Sequence, residues 1–459
     1  MGPSPEREPR DGAGGGSGGG GGLGVGRRAA LASLALAAGA WALWPVTPRS
    51  RREVPPGRRI VRYWEKWTGP EGAAVQEIVD LFNASQERYW VLRSPVSDLQ
   101  TKAMVAIGGG DPPDLVGLHS YSVPQYARAG ALMPLDELGA TPGEPHYAPS
   151  VWRLLTDGGR CWAGANTCYT FALYLNRERF RAAGLDPDRP PRTIAGLDAA
   201  SHALTERGPG GRIERAGFVA MIPGWWPYVW PVMFGGSLFD EAAGRVTLDR
   251  PENRRAYAWL GASSAWYGRA EIKAFTSAFA RSLLSANDPF LTGRVAMCVQ
   301  GPWMANFASL HAPGLDYAAC ELPEDTPRDA GTPPAGLVEC DVLAVPRGAR
   351  EPEGAAAYIA FTQRRDAQEL LCARHGKNSP LADVSDDFRA THPNRSLAVH
   401  EAIARSPRAA VLPRTPAWKN YSDLLWSMAE AVWDGADAGE RVAATHRRAE
   451  GLIARATRG

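Results

Sequence analysis

Between Arg59 and Leu118 the chain alternates two hydrophobic periods, and this alternation restricts the fold more than any other feature. Arg59-Ile-Val-Arg-Tyr-Trp64 reads as a strand, and Glu65 to Pro70 as a turn. Glu71 to Asn83 then places Val75, Ile78, Val79 and Phe82 on one helical face. Trp90 to Arg93 is a second strand. Leu99 to Ile107 is a second helix, stopped by Gly108-Gly-Gly110. Leu115 to Leu118, entered through Pro112-Pro113-Asp114, is a third strand. Strand, helix, strand, helix, strand predicts an α/β fold: a mainly parallel sheet with helices on its faces. Ligands of open α/β sheets bind outside the carboxyl ends of the strands.

The same reading continues downstream. Cys161 to Asn176 is a long apolar stretch that fits a passage between lobes. Arg177 to Ala183 is a short helix, and Thr193 is the N-cap of a helix reaching Arg207. Gly217 to Met221 is a strand, followed by an aromatic segment with Trp225, Trp226, Tyr228 and Trp230. Pro251 to Tyr267 is a helix, Gly336 to Val345 a buried strand, and Glu353 to Thr362 and Ala367 to Arg374 are helices. The chain is helical again from Ser396 on. Within this order, Val295 to Val299 is a buried strand that ends in Gly301-Pro302-Trp303. A small-residue turn delivers a large aromatic to the strand's edge. Trp303 either floors a site for a flat, partly apolar ligand such as a sugar, or fills a gap in the core.

The 459 residues bound the architecture. Residues 1–28 are Gly-rich, low in complexity and expected to be disordered. Arg27-Arg28 precede an apolar run at 29–46, which reads as an export signal or a retained N-terminal membrane anchor. Residues 47–58 read as a linker. About 400 residues remain, enough for two lobes. Eight Arg against four Asp and Glu before residue 59 account for more than the whole net charge of +2. The body is slightly acidic, so a nucleic-acid partner is not expected. The six Cys, at 161, 168, 298, 320, 340 and 372, include no CxxC to hold zinc. In an exported chain they can pair; Cys161 and Cys168 could bridge a loop, while Cys298 and Cys340 read equally as buried free thiols.

Five elements occur in an order that resembles a known family. They are Gly108-Gly-Gly-Asp-Pro-Pro-Asp-Leu-Val, Tyr126-Ala-Arg-Ala-Gly-Ala-Leu-Met-Pro-Leu-Asp136 and Leu173-Tyr-Leu-Asn-Arg-Glu-Arg-Phe-Arg-Ala-Ala-Gly-Leu, then Pro190-Pro-Arg-Thr and Phe290-Leu-Thr-Gly-Arg-Val-Ala-Met with Gly301-Pro-Trp. From about Arg59 to Pro380 the chain resembles the extracellular solute-binding proteins of ABC importers, in particular the carbohydrate-binding group that includes maltose-binding protein. The resemblance implies a two-lobed periplasmic-binding-protein fold (type II) with three interlobe crossings, near 165–171, 295–299 and 337–343. It implies a first lobe of 59–165 plus 300–336 and a second of 166–299 plus 337–459. It departs from the family in having no Gly pair at Gly336-Leu-Val-Glu-Cys-Asp341, and no Cys for a lipid anchor follows the apolar run.

A sugar site needs aromatic planes for the C–H faces and hydrogen-bonding groups for the hydroxyls. Trp64, Glu65, Lys66 and Trp67 supply both at a strand's carboxyl end. His119 and Tyr121 follow the third strand. The resemblance adds Tyr228, Trp230 and Trp303 as stacking rings, Asn166 and Tyr169 at the first crossing, and Glu339 at the third. The alternatives are solvated loops, core aromatics and a lobe-interface ion pair. The expected function is an exported, monomeric receptor, in the periplasm or on the outer face of the cytoplasmic membrane. It would capture a sugar or oligosaccharide without catalysis, cofactor or metal and deliver it to ABC permease subunits. The alternatives are a secreted carbohydrate-active hydrolase, though no G-x-S-x-G, HExxH or P-loop occurs, and a membrane-tethered ligand sensor.

Overall fold

The first strand forms over Arg59–Glu65 and lies between Tyr89–Pro95 and Leu115–His119, parallel to both. The computed structural model describes residues 54–456 except Trp225, Ala280 and Arg281. The Gly-rich head, the apolar run and most of the linker therefore lie outside the described residues. From Pro56 on, the described chain builds two large sheets and two short two-stranded ones. The first has the order Ala409–Ala410, Gly336–Pro346, Leu115–His119, Arg59–Glu65, Tyr89–Pro95. Gly164–Thr170 and Leu132–Met133 also pair with Gly336–Pro346. The second has the order Tyr317–Cys320, Ala172–Asn176, Val295–Gln300, Ile213–Phe218, Glu206–Arg207. The first sheet contains three parallel pairs and three antiparallel ones, and the second one parallel pair and three antiparallel ones, so the sheets are mixed where mainly parallel ones were expected.

Each sheet carries its own core. Val61, Tyr63, Val91 and Leu115 of the first sheet pack against Val75, Ile78, Val79 and Phe82 of the helix Gly69–Ser85. That helix begins where Pro70, which lacks an N–H, can occupy the first turn, with Glu71 beside it at the positive end of the dipole. In the second sheet Leu175, Phe218, Met297 and Val299 pack against Leu197, Tyr257 and Leu425. Thr193 caps the helix Ile194–Leu204 as expected, its Oγ1 accepting from Gly196 N at 3.0 Å. No described helix is long and apolar enough to cross a membrane.

The chain passes between the sheets three times. The first passage is at Phe171, between Gly164–Thr170 and Ala172–Asn176, as expected. The second lies between Cys320 and Gly336, and the third between Ala410 and Trp418. The expected passages at 295–299 and 337–343 are corrected: Val295–Gln300 is an inner strand of the second sheet and Gly336–Pro346 of the first, each paired on both sides. The lobe boundaries change with them. Tyr317–Cys320 pairs with Ala172–Asn176, so this part of 300–336 belongs with the second sheet. Gly336–Pro346 and the helices Pro352–Thr362 and Arg365–His375 belong with the first. The physical reason is that both apolar strands are buried on both faces, and such runs do not say which sheet holds them. In this structure all six Cys are reduced, and no bridge joins Cys161 to Cys168.

Candidate functional site

A cavity of about 500 Å3 opens between the two sheets. Lys66, Trp67, His119, Tyr121, Glu339 and Lys377 line it from the first lobe, and Trp226, Tyr228, Trp303 and Phe307 from the second. Tyr169, one residue before the final residue of its strand, stands at the seam. Several first-lobe groups follow from strand geometry. Lys66 and Trp67 come directly after the strand ending at Glu65, and Tyr121 two residues after the one ending at His119. A wider groove of about 780 Å3 beside Arg212 and Arg294 belongs to one lobe alone, away from these strand ends.

Asp341 anchors the polar part of the wall. Lys377 Nζ and Thr167 Oγ1 both donate to its Oδ2 at 2.6 Å. Lys66 Nζ lies 3.2 Å and His119 Nδ1 3.3 Å from its Oδ1. Burial pushes the Asp341 carboxyl up, but Lys377 and Lys66 outweigh it and hold it well below the usual carboxylate range. Burial and the neighbouring Lys66 lower the His119 pKa, against the pull of Asp341. Two residues from Asp341, on the same face of the strand, Glu339 behaves oppositely. Burial pushes its carboxyl up to about 8, against the hydrogen bond from Ser120. Ser120 Oγ donates to Glu339 Oε2 at 2.9 Å, and Oε1 has no protein hydrogen-bond partner among the described residues.

The aromatic part is continuous. Trp303 meets Tyr169 at 5.3 Å and Trp226 at 5.9 Å between ring centroids, and Trp226 meets Tyr228 at 6.2 Å. Lys377 Nζ sits 4.5 Å from the Trp67 centroid and 5.3 Å from that of Tyr169, a cation held over ring faces. Trp303 is fixed from behind: its Nε1 donates to Gln300 Oε1 at 3.0 Å. Its ring folds over Gly301 so closely that a Cβ there would fall 2.3 Å from ring carbons. The glycine is required by that contact.

Eight of the twelve residues expected from the sequence line the cavity: Lys66, Trp67, His119, Tyr121, Tyr169, Tyr228, Trp303 and Glu339. Four are corrected. Trp64 packs against the first core, on the opposite side of its strand from Tyr63 and Glu65. Glu65 is fully buried, bonded by the Tyr63 hydroxyl and by the Lys66 amide at 2.7 Å. Asn166 is buried one position off the face that Thr167 and Tyr169 share. Trp230 begins a helical turn that aims its ring into the second core, 5.7 Å from Trp259. Conversely, Lys377, Thr68, Glu71, Trp226, Leu284, Phe307 and Leu412 line the cavity without having been among the expected site residues. Of these, Lys377 carried a usable sign: it follows a helix stopped by Gly376, with φ of 65°.

The family model for bacterial extracellular solute-binding proteins matches residues 66–369. This chain belongs to that family. The solute-binding protein is 25% identical over 174 residues to the sn-glycerol-3-phosphate-binding periplasmic protein UgpB of Yersinia pestis, covering 36% of this chain and 38% of UgpB. It is 23% identical over 268 residues to the maltotriose-binding protein of Pyrococcus abyssi, covering 58% of this chain and 54% of that protein. The alignments thus span less than two thirds of either relative. Among solved structures, CpMnBP1 with mannotriose bound superposes with a TM-score of 0.74 at 23% identity, covering 85% of this chain and 100% of that one. The fold of the solute-binding protein is therefore the two-lobed fold of these receptors.

Proposed function

We propose that this protein captures a sugar or oligosaccharide between its two lobes and delivers it to the permease subunits of an ABC importer, without catalysis or cofactor. The observation that carries the reading is the cavity itself. Rings from both lobes surround about 500 Å3, within the range of ~300–1,000 Å3 usual for small-molecule sites. Trp67, Trp226, Tyr228 and Trp303 offer planes for the C–H faces of pyranose rings. Lys66, His119 and Glu339 line the same wall as the polar groups that hydroxyls would meet. Because the walls belong to different lobes, a ligand touching both stabilises their approach, and closure is what a permease can sense. The named maltotriose- and mannotriose-binding relatives support the solute class. The protein acts as an exported monomer, in the periplasm or on the outer face of the cytoplasmic membrane.

The likeness to UgpB and the two cavity lysines favour a second reading, a glycerol phosphate ligand. Both lysines are already paired with Asp341, which favours the uncharged solute. Titration calorimetry of the full chain against mono-, di- and trisaccharides, polyols and sn-glycerol-3-phosphate decides between them. Saturable binding of a saccharide is expected. Binding of the phosphate ester alone would replace this reading with the second, and heat from none of them would remove both.

A further inference from the structure

Cys168 and Cys340 stand directly opposite one another where Gly164–Thr170 pairs with Gly336–Pro346. Neither amide bonds across the pair. Cys168 N donates to Asn378 O at 3.2 Å, and Cys340 N to Ser120 Oγ at 3.1 Å. They are thus a non-hydrogen-bonded pair of an antiparallel ladder, the kind whose Cα atoms lie about 4.5 Å apart with side chains on one face. That separation falls within the ~4.4–6.8 Å that a disulfide spans. Both are fully buried in the first core, on the side away from Thr167, Tyr169, Glu339 and Asp341.

We propose that Cys168 and Cys340 are joined by a disulfide in the exported protein. The proposal rests on the export reading, because oxidising compartments are where such bonds form and persist. The two thiols lose two protons and two electrons as one S–S bond forms. A thiol–disulfide oxidant takes up both, its own disulfide becoming two thiols. In the folded chain neither sulfur is reachable, so the bond forms while the chain folds. It ties two strands at a point where the backbone ladder supplies no bond, three residues before the passage at Phe171. No other cross-strand pair competes among the described residues: Cys298 is opposite Tyr174 and Cys320 opposite Leu173. Cys372 Sγ lies 3.8 Å from Gln368 Oε1, and Cys161 Sγ 3.5 Å from Ala163 O.

Two preparations of the full chain separate the geometry from the compartment. One is refolded from guanidinium in a glutathione–glutathione disulfide buffer; the other is exported by a bacterial host. Both are alkylated in denaturant without reductant, and their peptides are mapped. The expected result in both is four alkylated cysteines and one linked peptide pair containing Cys168 and Cys340. Reductant should then lower the unfolding midpoint of the wild type, but not that of the C168S/C340S double variant. Six alkylated thiols in the refolded chain, or a bond to Cys372 or Cys161 instead, overturn the geometric argument. A bond in the refolded chain that the exported protein lacks overturns the proposal through its compartment and leaves the geometry standing.

Discussion

Replacing Glu339 by Gln removes a proton that the fold takes up. Burial moves the Glu339 carboxyl from an ordinary 4.5 to about 8. Below pH 4.5 the folded and unfolded chains both hold this proton, so the group contributes no pH dependence. Between 4.5 and about 8 the unfolded state releases it while the folded state keeps it. The unfolded state then binds fewer protons, and stability falls as pH rises. Each pH unit in that window costs about 1.4 kcal/mol, so the wild type loses about 3 kcal/mol between pH 4.5 and 7 through this residue alone. Gln fills the same volume, can still accept from Ser120 and has no proton to lose. Roughly 400 folded residues unfold with an entropy of about 0.8 kcal/mol/K, so the melting temperature of E339Q relative to wild type should rise by about 4 °C across the same interval. Scanning calorimetry of both proteins at half-unit steps from pH 4.5 to 8 measures it. Two parallel curves would show that Glu339 is not held neutral, and would remove the burial argument with it.

The remaining predictions concern the cavity wall. Trp303→Ala should weaken saccharide binding about 100-fold in calorimetry, the loss of a buried aromatic anchor of roughly 2–3 kcal/mol, with the fold kept. A large fall in melting temperature with unchanged affinity would instead make Trp303 a core residue. Gly301→Ala keeps every aromatic but places a Cβ 2.3 Å from the Trp303 ring carbons, so the ring must leave its seat. Affinity should drop nearly as far as in W303A, with a shift in tryptophan emission, and an unshifted spectrum would contradict the contact. Lys377→Met leaves Asp341 buried without its closest cation. It should cost about 3–5 kcal/mol in urea unfolding, and K377M/D341N should recover much of the loss. No recovery would mean that the pair is not the source of the cost.

Local structure was legible because period and punctuation act over short range. The helix face of Val75, Ile78, Val79 and Phe82 and the Thr193 cap need only neighbours in sequence. Lobe membership was not legible, because Val295–Gln300 and Gly336–Pro346 are buried at every position and show no outward face. The strand-end rule found Lys66, Trp67, His119 and Tyr121, since each lies within two residues of a strand's carboxyl end. It could not find Lys377, which reaches the cavity from the turn after a helix, 36 residues from its partner Asp341. Nor could it separate Tyr228 from Trp230 in one aromatic segment. The helical turn that starts at Trp230 rotates that ring into the core, and no local pattern marks its first residue.

That long-range network is also what argues about the solute. Lys377 is buried and 2.6 Å from Asp341, while Lys66 lies 3.2 Å from Asp341 and 3.5 Å from Glu65. Both ammoniums are therefore committed before any ligand arrives, and Thr167 fixes the carboxylate that holds them. An anion entering the cavity would compete with Asp341 for the same donors, and it would have to leave water for a wall dominated by rings. A sugar asks for neither. On the proposed reading its C–H faces would meet Trp226 and Trp303, and its hydroxyls would meet a wall that includes Glu339, whose carboxyl burial raises to about 8. On that reading the lysines hold Asp341 and bound the cavity, and discrimination among solutes would rest on the shape of the ring box.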